Sequence, residues 1–80
     1  MRCTQVPLSD IAVGQSAVIV TLGITGPLRR RLFALGMLTG ETITVRRVAP
    51  LGDPLELEVK GYRLSLRKAE AGRILVAPRA

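Results

Sequence analysis

The sequence feature that most constrains the fold is the regular alternation of apolar and polar residues on both sides of a Lys-Gly pair. Apolar and charged side chains alternate in Leu55–Val59, and the alternation resumes in Tyr62–Leu66 after Lys60-Gly61. A period of two is typical of a strand with one buried face, and two such strands separated by two residues that include glycine form a β-hairpin. The predicted cross-strand pairs are Val59 with Tyr62, Leu57 with Leu64, Leu55 with Leu66, and Glu58 with Arg63 on the solvent face.

Two further stretches have the composition of buried strands. Residues 15–22 contain the run Ala-Val-Ile-Val-Thr, whose β-branched residues favour a strand with apolar side chains on both faces. In a regular strand, Val18, Val20 and Leu22 would lie on one of those faces. Residues 74–77 form the last predicted strand, just before a proline.

The strand predicted over residues 42–48 contains an irregularity. Its apolar residues alternate regularly until Val48, which has the wrong parity for the buried face. We therefore expect a bulge near Arg46 and Arg47 that re-aims both side chains. With residues 1–7 as an extended lead-in, five short strands predict a mainly β fold, a small closed or nearly closed barrel.

Residues 26–40 are the only stretch that is typical of an α-helix. Pro27 suits the first helical position because its φ is fixed and it has no N–H to leave unpaired. Gly36 followed by Met37 fits a Schellman stop, so we expect a short helix at about residues 27–35. The apolar stripe that this helix turns toward a core consists of Leu28, Leu32 and Leu35.

The opposite side of the predicted helix is cationic and aromatic. Arg29 and Arg30 point away from the leucine stripe, and Phe33 projects on the same side as Arg29. One interpretation is a solvated face with Phe33 covered by a neighbouring loop. The other is a docking surface, because arginine and aromatic side chains are enriched among the residues that contribute most to binding at interfaces.

The charge balance suggests an acidic partner. The 80 residues, which predict a single domain over residues 1–80, include 12 Lys and Arg against six Asp and Glu, for a net charge of +6. One Phe, one Tyr and no Trp are too few for a base-stacking platform, so nucleic acid is not the expected partner. The lone Cys3 excludes an internal disulfide, and no signal peptide or membrane-spanning run is recognisable, so we expect a cytoplasmic location.

The sequence lacks the residues that catalysis and metal binding usually require. There is no histidine to act as a base for a serine, and no Gly-Lys-Ser/Thr phosphate loop. Glu56 and Glu58 share a strand face, where cross-strand pairing accounts for them better than metal ligation. We therefore predict no catalytic residue, no metal site, no cofactor and no enzymatic activity.

Three segments of the chain resemble the FeoA family, ferrous iron transport protein A. The segment that starts at Leu28, Leu-Arg-Arg-Arg-Leu-Phe-Ala-Leu-Gly-Met-Leu-Thr-Gly, resembles the helix and following turn of that family. The segment Val-Ala-Pro-Leu-Gly-Asp-Pro-Leu from Val48 resembles its most characteristic loop, and Leu-Ser-Leu-Arg-Lys-Ala-Glu-Ala from Leu64 resembles its closing segment. The resemblance extends over about residues 8–76; Thr39 departs from it, because the family often has proline there.

The resemblance implies an SH3-like five-stranded β-barrel with one short α-helix inserted after the first strand, in agreement with the residue patterns. It also implies a cytoplasmic accessory protein that acts with FeoB, a membrane permease whose cytoplasmic G domain binds GTP. The resemblance and the cationic, aromatic side of the predicted helix together lead us to expect that this side of the helix docks on FeoB or on its cytoplasmic membrane rim. The residues expected on that surface are Arg29, Arg30, Phe33, Met37 and Leu38.

The loop between the second and third strands has two interpretations. In the first it is purely conformational: Pro50 and Pro54 stiffen it, Gly52 takes a positive φ, and Asp53 bonds to nearby backbone groups. In the second, Leu51 at the tip makes another partner contact, which adds Leu51 to the candidate residues.

Other functions remain open at this stage. Iron-dependent repressors have a similar barrel as their C-terminal part, although no helix-turn-helix precedes the barrel in these 80 residues. Another hypothesis is a basic barrel that binds nucleic acid. A steep dependence on salt concentration of the protein's retention on generic DNA would support this hypothesis. Exposed Phe33, Leu38 or Leu51 would serve equally well as contacts within a homo-oligomer.

Overall fold

The structure, a computed structural model, describes residues 5–79. Its strands are β1 (Val6–Pro7), β2 (Ser16–Leu22), β3 (Thr42–Val48), β4 (Leu55–Val59), β5 (Tyr62–Leu66) and β6 (Ile74–Pro78). Its helices are α1 (Pro27–Ala34), α2 (Lys68–Ala71) and a 3-10 turn at Leu8–Asp10. All strand pairs are antiparallel, in the order β1-β6-β2-β3-β4-β5 across one sheet.

The hairpin of β4 and β5 has the predicted register. All of the expected pairs are present, from Val59 with Tyr62 to Leu55 with Leu66. Lys60 and Gly61 have φ of 50° and 81°, and positive φ at both central residues is the backbone of a type I′ turn. The turn therefore fixes which side chains of both strands face the core.

The predicted bulge in β3 is present. The pairing of β3 with β4 shifts its register between Val45 and Arg47, and Val48 packs against the core despite its parity. Arg46 and Arg47 are both exposed. The extra residue in β3 thus restores an apolar side chain to the buried face.

The prediction that Val18, Val20 and Leu22 share one face is wrong. The pairing of β2 with β6 shifts between Ile19 and Thr21, and this irregularity interrupts the alternation. Leu22 packs against the same core as the buried Ile19, whereas Val18 and Val20 are only half-buried on the other side. The sequence did not indicate the bulge in β2. Apolar residues occupy both faces of this strand, so a shift in register does not interrupt an alternation of apolar and polar residues.

The amino-terminal lead-in contributes a strand that the sequence did not predict. Val6 pairs with Val76 and Pro7 with Leu75, so β1 adds a sixth strand beside β6. Two residues, one of them proline, are too short to show any periodicity. Residues 1–4 of the expected lead-in, including Cys3, lie outside the described residues.

The hydrophobic core is one continuous cluster that joins both ends of the strand order. It includes Leu8, directly after β1, and Leu66 at the end of β5. The sheet therefore curls around its own apolar face, which gives the expected barrel. Among residues 5–79 no polar or charged residue is buried, so the core contains no polar group that needs a hydrogen-bond partner.

Helix α1 has the predicted start, end and anchor. Pro27 is its first residue, and Gly36 has a φ of 92° just beyond its end. The Gly36 N–H donates to the Phe33 carbonyl at 3.0 Å and the Met37 N–H to the Leu32 carbonyl at 2.9 Å, which together form a Schellman motif. Leu32 is fully buried, and the other two residues of the stripe, Leu28 and Leu35, pack against the core from its margin.

Removal of the Leu32 side chain tests this anchor. Leu32→Ala is expected to lower the free energy of unfolding by about 2–5 kcal/mol, because it leaves a cavity where α1 meets the core. Urea denaturation followed by circular dichroism measures the change. Arg31→Ala, one residue earlier and exposed, is the matched control and is expected to change stability by less than about 0.5 kcal/mol. Equal stabilities of the two variants would contradict this anchoring role.

Candidate functional site

The solvent side of α1 carries an aromatic ring with a cation over it. Phe33 is 42% exposed, and the Arg29 Cζ atom lies 5.0 Å from the centroid of its ring. At this distance a guanidinium is attracted to the π face of the ring, so each side chain limits the motion of the other. Leu38, in the turn after the helix, is 41% exposed. We call Arg29, Arg30, Phe33 and Leu38 the helix surface.

The arginines of the helix surface have no acidic partner among residues 5–79. The two ion pairs in that range join Arg46 Nε to Glu58 Oε1 at 2.7 Å and Lys60 Nζ to Glu41 Oε1 at 3.5 Å. Helix α1 itself contains no acidic residue. The positive charge of Arg29 and Arg30 is therefore available to an anionic partner.

The expected position of Met37 on this surface is wrong. Met37 is 0% exposed and belongs to the core cluster. The left-handed residue Gly36 turns the chain back under the last turn of α1, and the Met37 side chain follows it inward. Met37 thus anchors the surface from below, and Leu38 is the first residue after the helix to face solvent.

The base of the helix surface is held by the hairpin turn. A Cβ on Gly36 would lie 3.0 Å from Lys60 Cδ, so the aliphatic part of Lys60 lies directly over this glycine. The Lys60 ammonium then reaches Glu41, in the segment that leads into β3. The sequence predicts only that Lys60 lies in a turn. Nothing in the local pattern indicates its contact with Gly36, 24 positions earlier.

Leu51 lies in the loop before β4, beyond the end of β4 that is opposite to the helix end. It is 95% exposed and precedes β4, whereas Lys60, which touches Gly36, follows β4. A five-residue strand at about 3.3 Å per residue separates the two ends by about 15 Å. A contact through Leu51 would therefore start from the end of β4 opposite to the turn that touches Gly36.

The loop that presents Leu51 is tied to its surroundings. The Gly52 N–H donates to the Ala49 carbonyl at 2.7 Å, and the Ala49 N–H to the Pro54 carbonyl at 3.1 Å. The Lys68 N–H at the start of α2 donates to Asp53 Oδ1 at 2.9 Å. These bonds show that Gly52 and Asp53 stabilise the conformation of the loop, as the first interpretation of this loop expects. A binding role of Leu51 stays a prediction.

A metal site requires several ligating side chains close together, and a membrane span requires a long apolar helix. Within residues 5–79, no group of three or more His, Cys, Asp or Glu side chains could hold a metal ion. In the same range, no helix has the length and hydropathy that crossing a membrane requires. What the site provides is an exposed surface of cations and apolar side chains on a firmly held helix.

Comparisons with known proteins agree with the resemblance. The model of the FeoA domain family matches residues 6–78. A Fe(2+) transport protein A/Fe(2+) transporter FeoB fusion protein from Porphyromonas gingivalis (strain ATCC BAA-308 / W83) is 41% identical over 69 residues. The match covers 86% of this chain, and the chain spans only 8% of the length of that fusion protein.

Solved FeoA proteins have the same fold. The FeoA protein from Chlorobium tepidum, solved by NMR, is 38% identical with a TM-score of 0.87, over 92% of this chain and 70% of that one. FeoA of Stenotrophomonas maltophilia, solved in complex with zinc and described as a procaryotic SH3 domain protein, is 33% identical with a TM-score of 0.74, over 86% of both chains. The predicted SH3-like fold is thereby confirmed.

The likeness to repressors is one of fold alone. A manganese-dependent transcriptional repressor has a TM-score of 0.81 over 99% of this chain and 44% of its own, at 12% identity. This agrees with the expected similarity between the barrel and a repressor domain.

The bond between Asp53 and α2 can be tested by substitution. Asp53→Ala removes the acceptor of the Lys68 N–H and is expected to lower the free energy of unfolding by about 1 kcal/mol. Asp53→Asn keeps an acceptor oxygen of the same shape, so it should retain most of the wild-type stability in the same denaturation experiment. Two variants of equal stability would show that the hydrogen bond does not hold the loop.

Proposed function

The chain belongs to the FeoA domain family, and from that premise we propose that it is a non-enzymatic accessory of ferrous iron uptake that docks on the cytoplasmic side of a FeoB-type permease. Docking is made by the helix surface, with Phe33 as the apolar contact and Arg29 and Arg30 as the cationic ones. Iron is the cargo of the permease in this proposal. The accessory domain itself takes part in neither ligation nor catalysis.

The observation that carries the proposal is the fusion protein of Porphyromonas gingivalis. In that relative a region 41% identical to this chain is named together with a FeoB transporter as parts of one polypeptide. Covalent linkage raises the effective concentration of one domain near the other, often to the millimolar range with short linkers, and is useful when the two act at the same place. A separate chain needs a binding surface for the same purpose.

The helix surface has the chemistry of such a binding surface. A half-exposed aromatic ring stacked under a guanidinium combines the two residue types that dominate interface hot spots. The helix that carries the ring is anchored by the burial of Leu32 and Met37, so little backbone freedom is lost on binding. An unpaired cationic rim also speeds association with an acidic partner.

This placement gives the domain a peripheral position at the inner face of the membrane, reached through its partner. The net charge of +6 favours proximity to anionic headgroups as well as to an acidic protein surface. The hypothesis of a repressor domain is supported only by the shared fold, and the hypothesis of a nucleic-acid-binding barrel is supported only by the positive net charge.

A double substitution on the helix surface tests the proposal. Phe33→Ala with Arg30→Glu is expected to weaken copurification with a detergent-solubilised FeoB-type permease by about 30-fold or more, because it removes a hot-spot ring and reverses a charge. Quantitative pull-down against increasing permease concentration measures the loss, with and without a GTP analogue.

The matched control is Val13→Ala with Arg73→Glu, which makes the same two kinds of change at exposed positions outside α1. Thermal unfolding of both double variants shows whether the barrel is intact. Undiminished copurification of the folded Phe33→Ala, Arg30→Glu variant would exclude the helix surface as the docking site.

A further inference from the structure

The outer edge of β5 carries backbone groups that no described residue pairs with. Strand β5 is last in the strand order and pairs only with β4. The two residues that flank a two-residue turn, here Val59 and Tyr62, form a hydrogen-bonded pair, in which the N–H of each residue donates to the other. Hydrogen-bonded and non-hydrogen-bonded pairs alternate along the two strands, so Arg63 and Ser65 belong to non-hydrogen-bonded pairs. The N–H and C=O groups of Arg63 and Ser65 therefore point away from β4, and among residues 5–79 they have no backbone partner.

The open edge is short and has defined ends. At one end lies the turn at Gly61. At the other, the Arg67 N–H donates to Glu70 Oε1 at 2.9 Å, which ends the row of available groups. Arg63 and Ser65 thus offer four backbone groups, enough to pair with a partner segment of three or four residues in extended conformation.

The chain that forms this edge is basic. From Lys60 to Arg67 the chain has three basic residues and no acidic one. Glu58 lies opposite Arg63, but its carboxylate is bound to Arg46 Nε at 2.7 Å. Among the described residues Arg63 and Arg67 have no ion pair, so their charges are left for an incoming chain.

The space beyond Ser65 is open as well. A depression of about 380 Å³ lies at this end of β5, and its lining includes Ser65 and Arg67 together with the carboxylates of Asp53 and Glu70. Both carboxylates accept backbone N–H groups, Glu70 from Arg67 and Asp53 from Lys68, so the acidic side chains of a bound segment belong beside Arg63 and not in this depression.

We propose that the outer edge of β5 binds an extended acidic segment of a partner protein by strand addition. Main-chain bonds to Arg63 and Ser65 align the segment, and its acidic side chains lie on the solvent face beside the Arg63 guanidinium. The groups invoked here belong to β5 and not to α1, so the inference goes beyond the docking proposed above and does not depend on it.

Charge argues against a second copy of this chain as the occupant. Pairing of two β5 strands would bring Arg63 and Arg67 of both copies to one short ladder, and residues 60–67 contain no acidic side chain to separate them. Like charges that face each other across strands are destabilising. An acidic segment relieves the same repulsion, which is why the edge favours a partner of opposite charge.

Amide hydrogen exchange by NMR tests the inference residue by residue. In the protein alone, the Arg63 and Ser65 amides should exchange fast while those of Tyr62 and Leu64, which bond to β4, are protected. Saturation with the blocked peptide Thr-Glu-Val-Glu-Val-Glu-Thr should slow the Arg63 and Ser65 amides by about tenfold or more. The same peptide with lysine in place of each glutamate should leave them unchanged.

A charge swap separates strand addition from general attraction. Arg63→Glu should lose protection by the glutamate peptide and gain it from the lysine peptide, whereas Arg73→Glu, an equal change of net charge elsewhere, should behave as the wild type. Three results would overturn the proposal. They are Arg63 and Ser65 amides already protected in dilute protein, protection that rises with protein concentration in the absence of peptide, and equal protection by both peptides.

Discussion

The seating of Leu32 and Met37 in the core, on either side of Gly36, fixes where α1 lies and which side chains it shows to solvent. Both side chains are fully buried, and the positive φ of Gly36 lets the chain pass from one to the other within a single turn. The Lys60 stem covers the glycine from outside. Phe33 and Arg29 consequently project from a helix that cannot rotate without opening the core.

Which basic residues lack an acidic partner depends on what the carboxylates of the domain bind. Glu41 and Glu58 are held in ion pairs, and Asp53 and Glu70 accept backbone N–H groups around the start of α2. The basic residues that remain without acidic partners in the described range include those of α1 and the open edge of β5. In both proposals this free positive charge is what attracts an acidic partner.

Local patterns in the sequence predicted the parts of the fold that local physics determines. The hairpin register follows from the alternation around Lys60-Gly61, and the bulge of β3 follows from the parity of Val48. The pairing of β1 depends on contacts with a distant segment, so it left no local signal. The burial of Met37 did have one, because the residue after the glycine of a Schellman motif commonly packs against the last turn of the helix. The outward side of α1 was predictable from helical geometry, whereas the contact of Lys60 with Gly36 was not.

The most direct measurement is photocrosslinking from single positions to the permease. A benzophenone amino acid placed at Phe33 or Leu38 should form a covalent adduct with a FeoB-type permease in membranes, because both side chains lie on the proposed contact. The same amino acid at Val13, exposed on another part of the barrel, should form none. Adducts from position 13 with none from positions 33 and 38 would contradict docking through α1.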